Sequence, residues 1–160
     1  MANVAGGAEA AIRANWERLS GKPGGKALFS MLLGRMVPYS GSIGARVQEL
    51  RPGFARVTLA DRRKVRNHLR SIHAVALMNL AELSTGLALN VGMRPDARSI
   101  LKGLSIEYHK KARGTLTAEA NAPLLDSNEE RDIEVTTDIR DEAGDVVASA
   151  IARWRVGPRK

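Results

Sequence analysis

The stretch Arg66–Gly86, "RNHLRSIHAVALMNLAELSTG", decides how the rest of the chain is read. From Ser71 to Thr85 it carries no Gly or Pro and is rich in Ala, Leu and Met, which predicts the longest helix of the protein. Apolar residues at Ile72, Val75, Ala76, Leu77, Met78, Leu80, Ala81, Leu83, Leu87, Ala88 and Leu89 leave no wide polar face, so this helix is expected to be covered on most sides. Into that run the chain sets a single carboxylate, Glu82. An unpaired buried carboxylate is costly, so Glu82 must shift its pKa, find a partner, or do chemistry. The rival reading is a membrane span, against which His73, Asn79, Glu82, Ser84 and Thr85 all argue.

Upstream, Ala8–Leu19 and Lys26–Val37 read as two short helices separated by the breaker "SGKPGG". The second has Leu28, Met31, Leu32 and Met36 at helical spacing, and both are expected to pack on the surface, with Pro38 ending the second. "SIGARVQELRPGFARVTLAD", residues 42–61, then reads as two strands joined by a turn at Pro52 and Gly53. Residues 62–70 form a basic connection into the long helix. Beyond Arg98 the period changes to that of strands: "SILKGLSIEYHKKA", "GTLTAEANAPLL", "RDIEVTTDIRD" and "DVVASAIARWRVG", the last two joined by the hairpin turn "DEAGD". Alternation is clearest in Ile133, Val135, Thr137, Ile139 and in Val146, Ala148, Ala150, Ala152, Trp154. Two strands, one covered helix and four strands make an α+β domain in which an antiparallel sheet wraps a central helix, with residues 1–37 as a helical extension and 38–160 as the main body of one structural domain.

A chain of 160 residues is the size of one domain and can bury roughly two-thirds of the surface of its unfolded form. Its 25 Lys and Arg against 17 Asp and Glu give +8, which predicts an anionic partner: nucleic acid, a membrane surface or a phosphorylated small molecule. Aromatic residues are 4% of the chain, and the basic runs "RRKVR" and "HKKARG" contain none that could stack on a base, which argues against nucleic acid. The absence of cysteine rules out disulfides and thiolate metal sites and suits a reducing compartment. "MANVAGGAEAAIRANW" lacks the basic start and apolar core of a signal peptide, so the expected location is the cytoplasm, with no membrane partner.

The order of elements, together with "RNHLRSIH", "LAELSTG" and "LSIEYHKKARGTLTAEA", resembles hotdog-fold acyl-CoA thioesterases of the phenylacetate-pathway type, and most of all a hotdog branch known mainly as a domain of unknown function. The resemblance covers approximately Gly24 to Val156. Those enzymes typically carry an Asn six positions before a His-Gly-Gly and an acidic residue nine positions after that His; Asn67, His73 and Glu82 match all three positions. Where the family has two glycines this chain has Ala74 and Val75, and glycine is the residue that lets a thioester approach the backbone closely.

The resemblance implies a thioesterase with Glu82 as base or nucleophile and Asn67 and His73 beside it. Thioester hydrolysis needs donors for the carbonyl oxygen as it gains charge, and the unpaired amides of a helix start, around Ala74 and Val75, suit that role. In a continuous helix, nine steps at ~100° and ~1.5 Å put Glu82 on the face opposite His73 and roughly 13 Å along the axis. One carbonyl could hardly touch both, so a complete site is expected to need two subunits, in a homodimer or a dimer of dimers. Arg62, Arg63, Lys64, Lys110, Lys111 and Arg113 are candidates to anchor the coenzyme A phosphates. No cofactor is expected beyond coenzyme A as part of the substrate.

Plainer readings stand beside these. Glu82 could simply be paired with Asn79 or Ser84, or reach solvent. His73 could hold the loop before the helix, a role favoured over acid–base work, and Asn67 could be an ordinary turn residue. His68 and His109 have no partners at metal-ligand spacing, and no metal site is expected. A non-catalytic acyl-CoA binder, a nucleic-acid binder and a hotdog dehydratase are the competing functions; the His-containing Pro-Gly segment of the last is missing.

Overall fold

The computed structural model describes residues 7–159; the first six residues of the 1–37 extension and of the segment weighed as a signal peptide, and Lys160, lie outside them. Helices α1 (Ala8–Leu19), α2 (Gly25–Met36) and α3 (Pro38–Gly41) lead into strands β1 (Arg46–Arg51) and β2 (Phe54–Leu59). After a 3-10 turn at Arg63–Val65 comes the longest helix, α4 (Ala74–Val91), followed by β3 (Ala97–Tyr108), β4 (Leu116–Asn121), β5 (Arg131–Arg140) and β6 (Val146–Pro158). The six strands form one antiparallel sheet in the order β1-β2-β4-β5-β6-β3. It curls around α4, which packs against every strand. This is the hotdog arrangement expected from the sequence.

Helix α4 begins three residues later than Ser71 because His73 caps it, and it runs on through Gly86 to Val91. Gly86 is tolerated in mid-helix for a packing reason: a Cβ there would sit 3.1 Å from the Trp154 ring. By length and composition α4 could cross a membrane, yet 67% of it is buried inside the domain, where its apolar surface serves the core. Leu77, Leu80, Ala81, Leu87, Ala88 and Leu89 meet Val57, Leu59, Leu116, Val135, Ile139 and Ala152 across the helix–sheet boundary in one hydrophobic core.

The β5–β6 hairpin follows the alternation read from the sequence with one shift. A bulge at Ile139/Arg140 changes the register against β6, so Val147 and Ala148 are both buried while Val146 is half-buried. The hairpin "DEAGD" is held by Asp141, whose Oδ1 accepts from the amides of Ala143 and Asp145, with Gly144 at φ 87°. Strand β3 stops at Tyr108, so "HKKA" is loop. It lies at one edge of the sheet, and 12 residues of unpaired edge are left along it.

The amino-terminal helices correct the sequence reading. They were expected on the surface, but Trp16, Leu19, Phe29 and Leu33 are part of the core, with the Trp16 and Phe29 rings edge to face at 5.0 Å. In α2 the buried line is Gly25, Phe29 and Leu33, one position away from the expected one. Leu28, Met31 and Met36 therefore stay exposed, joined by Val37 and Tyr39. Pro38 ends α2 and at the same time opens α3 at its first turn, where a missing N–H costs nothing.

Candidate functional site

The site is built on the first half of α4 and the α3 turn laid across it. Residues four and three apart on a helix share a face, so Val75, Asn79 and Glu82 form one stripe, turned away from the sheet. Val75 is exposed, Glu82 half-buried and Asn79 buried. Short helix α3 clamps the stripe at two points: the Tyr39 carbonyl accepts from Asn79 Nδ2 at 3.1 Å, and Ser40 Oγ donates to Glu82 Oε2 at 3.3 Å. Neither Asn79 nor Ser84 is the partner of Glu82; Ser84 turns to the Ala81 carbonyl and to Thr137. Burial pushes the Glu82 carboxyl above its ordinary pKa, and the Ser40 hydrogen bond draws it only partly back. No cation pairs with it among the described residues.

His73 sits at the helix N-cap, where its Nδ1 accepts from the Val75 amide at 3.1 Å. That bond fixes the tautomer with the proton on Nε2. It also occupies the Val75 N–H, while the amides of Ala76 and Leu77 go to the His73 carbonyl. The Ala74 N–H has no acceptor among the described residues and is the free donor of the helix start. Tyr108 from β3 donates its hydroxyl to the Ala74 carbonyl at 3.0 Å, tying the first turn to the sheet edge. Burial raises the Tyr108 pKa, so it stays a donor at neutral pH.

Asn67 works inside its own loop. Its Oδ1 accepts from the amides of Leu69 and Ser71, its N–H donates to the Ser71 carbonyl, and the turn closes through Arg70 at φ 55°. This loop delivers Ile72 to the Ala112 carbonyl and His73 to that of Val65. The motif spacing thus sets the approach to the helix start.

The nominated cations divide. Lys110 is held between Asp141 at 2.7 Å and Asp145 at 2.6 Å, and Arg62 donates to the Ile43 carbonyl. Arg63, Lys64, Lys111 and Arg113 form no ion pair among the described residues, although Arg113 reaches the Leu69 carbonyl at 3.5 Å. An open cleft of about 240 Å³ lies between α3 and the start of α4, lined by His73, Val75, Ala76 and Asn79 from α4 and its cap and by Tyr39, Ser42, Ile43, Lys64, Val65 and Arg66 from the segments before it. Glu82 lies about one turn beyond Asn79, roughly 13 Å from His73 by helical rise, outside that cleft. The carboxylate and the free amide of one chain therefore do not converge. Among the described residues no cluster of His, Asp and Glu could hold a metal.

Sequence reasoning missed Ser40, Tyr39 and Tyr108. Their contacts span 42, 40 and 34 residues, and no local pattern announces them.

Residues 25–156 match a protein family described as Domain of unknown function (DUF4442). A structural-genomics protein is similar over 92% of this chain and 99% of its own, at 29% identity and a TM-score of 0.80. A protein of unknown function from Pseudomonas aeruginosa, described as a probable thioesterase, is 23% identical over 86% of this chain and 97% of its own, with a TM-score of 0.75. A thioesterase family protein from Silicibacter pomeroyi is 15% identical over 81% and 96%, with a TM-score of 0.69. No curated protein sequence matches the chain.

Proposed function

The chain belongs to the family described as Domain of unknown function (DUF4442), and we propose that it hydrolyses acyl-CoA thioesters as a homodimer or a dimer of dimers. The observation that carries this reading is Glu82: a half-buried carboxylate of raised pKa, held by one hydroxyl, unpaired by any cation among the described residues, at the motif position of the thioesterases the sequence resembles. The names of the Pseudomonas and Silicibacter relatives agree with it.

In this reading Glu82 of one subunit faces the helix start of the other. The Glu82 carboxylate takes a proton from water, the water oxygen adds to the thioester carbon, and the Ala74 N–H stabilises the oxygen that gains charge. The C–S bond then breaks, and the thiolate leaves with the proton that Glu82 received. Direct attack by Glu82, giving an acyl anhydride that water then opens, uses the same groups. Two features support a partner subunit: the unpaired edge of β3, and the apolar surface of Met36, Val37, Tyr39 and Val75 around the stripe. Lys64, which lines the cleft, and its neighbour Arg63, with Lys111 and Arg113, would meet the phosphates of coenzyme A. The lack of cysteine suits the cytoplasm.

A second reading, a non-catalytic acyl-CoA binder, is favoured by one observation. The chain has Ala74-Val75 where two glycines are usual, and the Val75 N–H is already given to His73. Free-thiol release from short, medium, long and aromatic acyl-CoAs, by the wild type and Glu82→Gln, separates the two. Turnover that the substitution removes supports the hydrolase; binding of the panel without thiol release selects the binder.

A further inference from the structure

We infer that a pocket lined by Arg46 and Arg62, where β1 and β2 meet the basic connection, binds the phosphate monoester on the ribose of coenzyme A. That this phosphate arrives on coenzyme A rests on the thioester reading; the pocket as an anion site does not.

The pocket encloses about 350 Å³, against ~30 Å³ for a water molecule. Gly44, Arg46, Ala60, Arg62 and Thr115 on its lining are all exposed, so a ligand enters from solvent. Its remaining lining residues, Gln48 and Thr58, are neutral, and no carboxylate is among them. The nearest acid in sequence, Asp61, lies outside the lining and is taken by Arg66 and the Gly114 amide. Elsewhere the cations that line hollows already have their anions. Arg13 and Arg159 beside α1 pair with Glu17 and Glu9, and Arg155 near β3 pairs with Glu130.

The two arginines here are left without such a partner. Arg46 forms no ion pair among the described residues. Arg62 donates to the Ile43 carbonyl, and its guanidinium lies against bare backbone at Gly44, where a Cβ would run into Nη2. With φ at 64°, Gly44 favours glycine on conformational grounds as well. Arg62 is thereby held in place, and its remaining N–H groups find no other acceptor among the described residues. The floor is fixed too, since Gln48 Nε2 donates to Thr58 Oγ1 at 2.9 Å.

A hollow lined by one sign of charge concentrates the opposite ion. A phosphate monoester, with about two negative charges and a spread of acceptor oxygens, answers both guanidiniums and the Thr115 hydroxyl, whereas a carboxylate brings a single charge. The pocket also adjoins the cleft: Ile43 and Lys64 line the cleft, Gly44 and Arg62 line the pocket, and the Arg62 hydrogen bond to Ile43 joins the two walls. A coenzyme whose thiol arm lies in the cleft can thus leave its diphosphate near Lys64 and its ribose phosphate between Arg46 and Arg62.

The test measures equilibrium binding of two non-hydrolysable thioether analogues, one of acyl-CoA and one of the matching acyl-dephospho-CoA, at fixed ionic strength. The proteins are wild type, Arg46→Gln/Arg62→Gln, and Arg18→Gln/Lys22→Gln, which removes the same charge near the end of α1. Wild type and the α1 control should bind the CoA analogue about tenfold tighter than the dephospho analogue, and Arg46→Gln/Arg62→Gln should bind both alike. In hydrolysis the same ratio should appear in KM with kcat unchanged, because the pocket touches only the phosphate. A wild type without the ratio, or a ratio that survives the loss of both arginines, overturns the inference; because the readout is a ratio, loss of folded protein does not imitate the effect. Inorganic phosphate is titrated alongside. Saturable phosphate binding that Arg46→Gln/Arg62→Gln removes, in a wild type that treats the two analogues alike, would give the pocket to a separate phosphorylated molecule and overturn the coenzyme assignment. The ratio in analogue binding without any thiol release upholds the pocket and sinks the hydrolase reading. Thiol release without the ratio does the reverse, and neither binding nor thiol release overturns both.

Discussion

The two halves of helix α4 treat polar groups in opposite ways. In the second half Ser84 and Thr85 are fully buried, and their hydroxyls are satisfied by the Ala81 carbonyl and Thr137, beneath β5 and β6. In the first half Asn79 and Glu82 share a stripe under α3, one buried with an unmet acceptor and the other half-buried with a carboxylate held by a single hydroxyl. Satisfied polar groups are what a core tolerates. Unsatisfied ones, kept together on one face beside a cleft, are what a ligand site needs.

The contrast is sharpest when one residue from each half is changed. Glu82→Gln should lower thioester turnover by at least ~100-fold while leaving the folded state intact. Leu89→Ala, in the sealed half, should cost about 2–5 kcal/mol of stability and leave turnover per folded molecule unchanged. Denaturant melts beside thiol-release rates check both. Equal loss of activity in the two variants would erase the distinction.

The pH dependence gives a second, smaller separation. Burial raises the Glu82 pKa in the folded state, so between the unfolded value near ~4.3 and the raised one the folded protein binds the extra proton. Stability from this group is therefore present below the unfolded pKa and lost as pH rises through the folded one. Glu82→Gln should accordingly be neutral or stabilising at pH 7 and flatten that part of the stability profile. Activity, which needs the carboxylate, should fall on acidification at a pH above the ordinary value. Ser40→Ala removes the bond that lowers this pKa, so its acidic limb should move to higher pH. An unmoved limb would mean that Glu82 is not the titrating group.

These differences also explain what the sequence could reveal. The long helix, the hairpin at Asp141–Asp145 and the inward line Val135, Thr137, Ile139 were legible because periodicity and turn chemistry are local. The one-position shift of the buried line in α2 was not, since Leu28 and Phe29 are equally apolar and only packing against Trp16 chooses between them. Of the site, Glu82 and His73 stood out by spacing, but Ser40 reaches Glu82, and Tyr39 reaches Asn79, only through the fold. Lys110 looked as free as Lys111 until the β5–β6 turn placed two aspartates on it.

That last difference supplies the smallest prediction. Neutralising Arg63 and Lys64 together should raise KM for an acyl-CoA a few-fold and weaken its salt dependence, with little effect on a thioester lacking the nucleotide. Lys110→Ala should alter neither. Equal damage to both kinds of substrate would show that these cations do not meet phosphate.

The division of the site between two chains is tested most directly by complementation. Ala74→Pro deletes the free N–H at the first helical position, where proline is tolerated and where His73, at φ −65° and ψ 140°, already has the conformation that precedes proline. In a homodimer of either Ala74→Pro or Glu82→Gln, both sites carry the same lesion and should be nearly inactive. In a mixed dimer, one site joins the intact Glu82 of the first chain to the intact helix start of the second, and the other site takes both lesions. Co-purified, verified mixed dimers should recover about half of the wild-type activity per dimer, by this counting of transition-state contacts. Folded mixed dimers that remain as inactive as their parents would contradict the account and place the carboxylate and the carbonyl pocket within one chain.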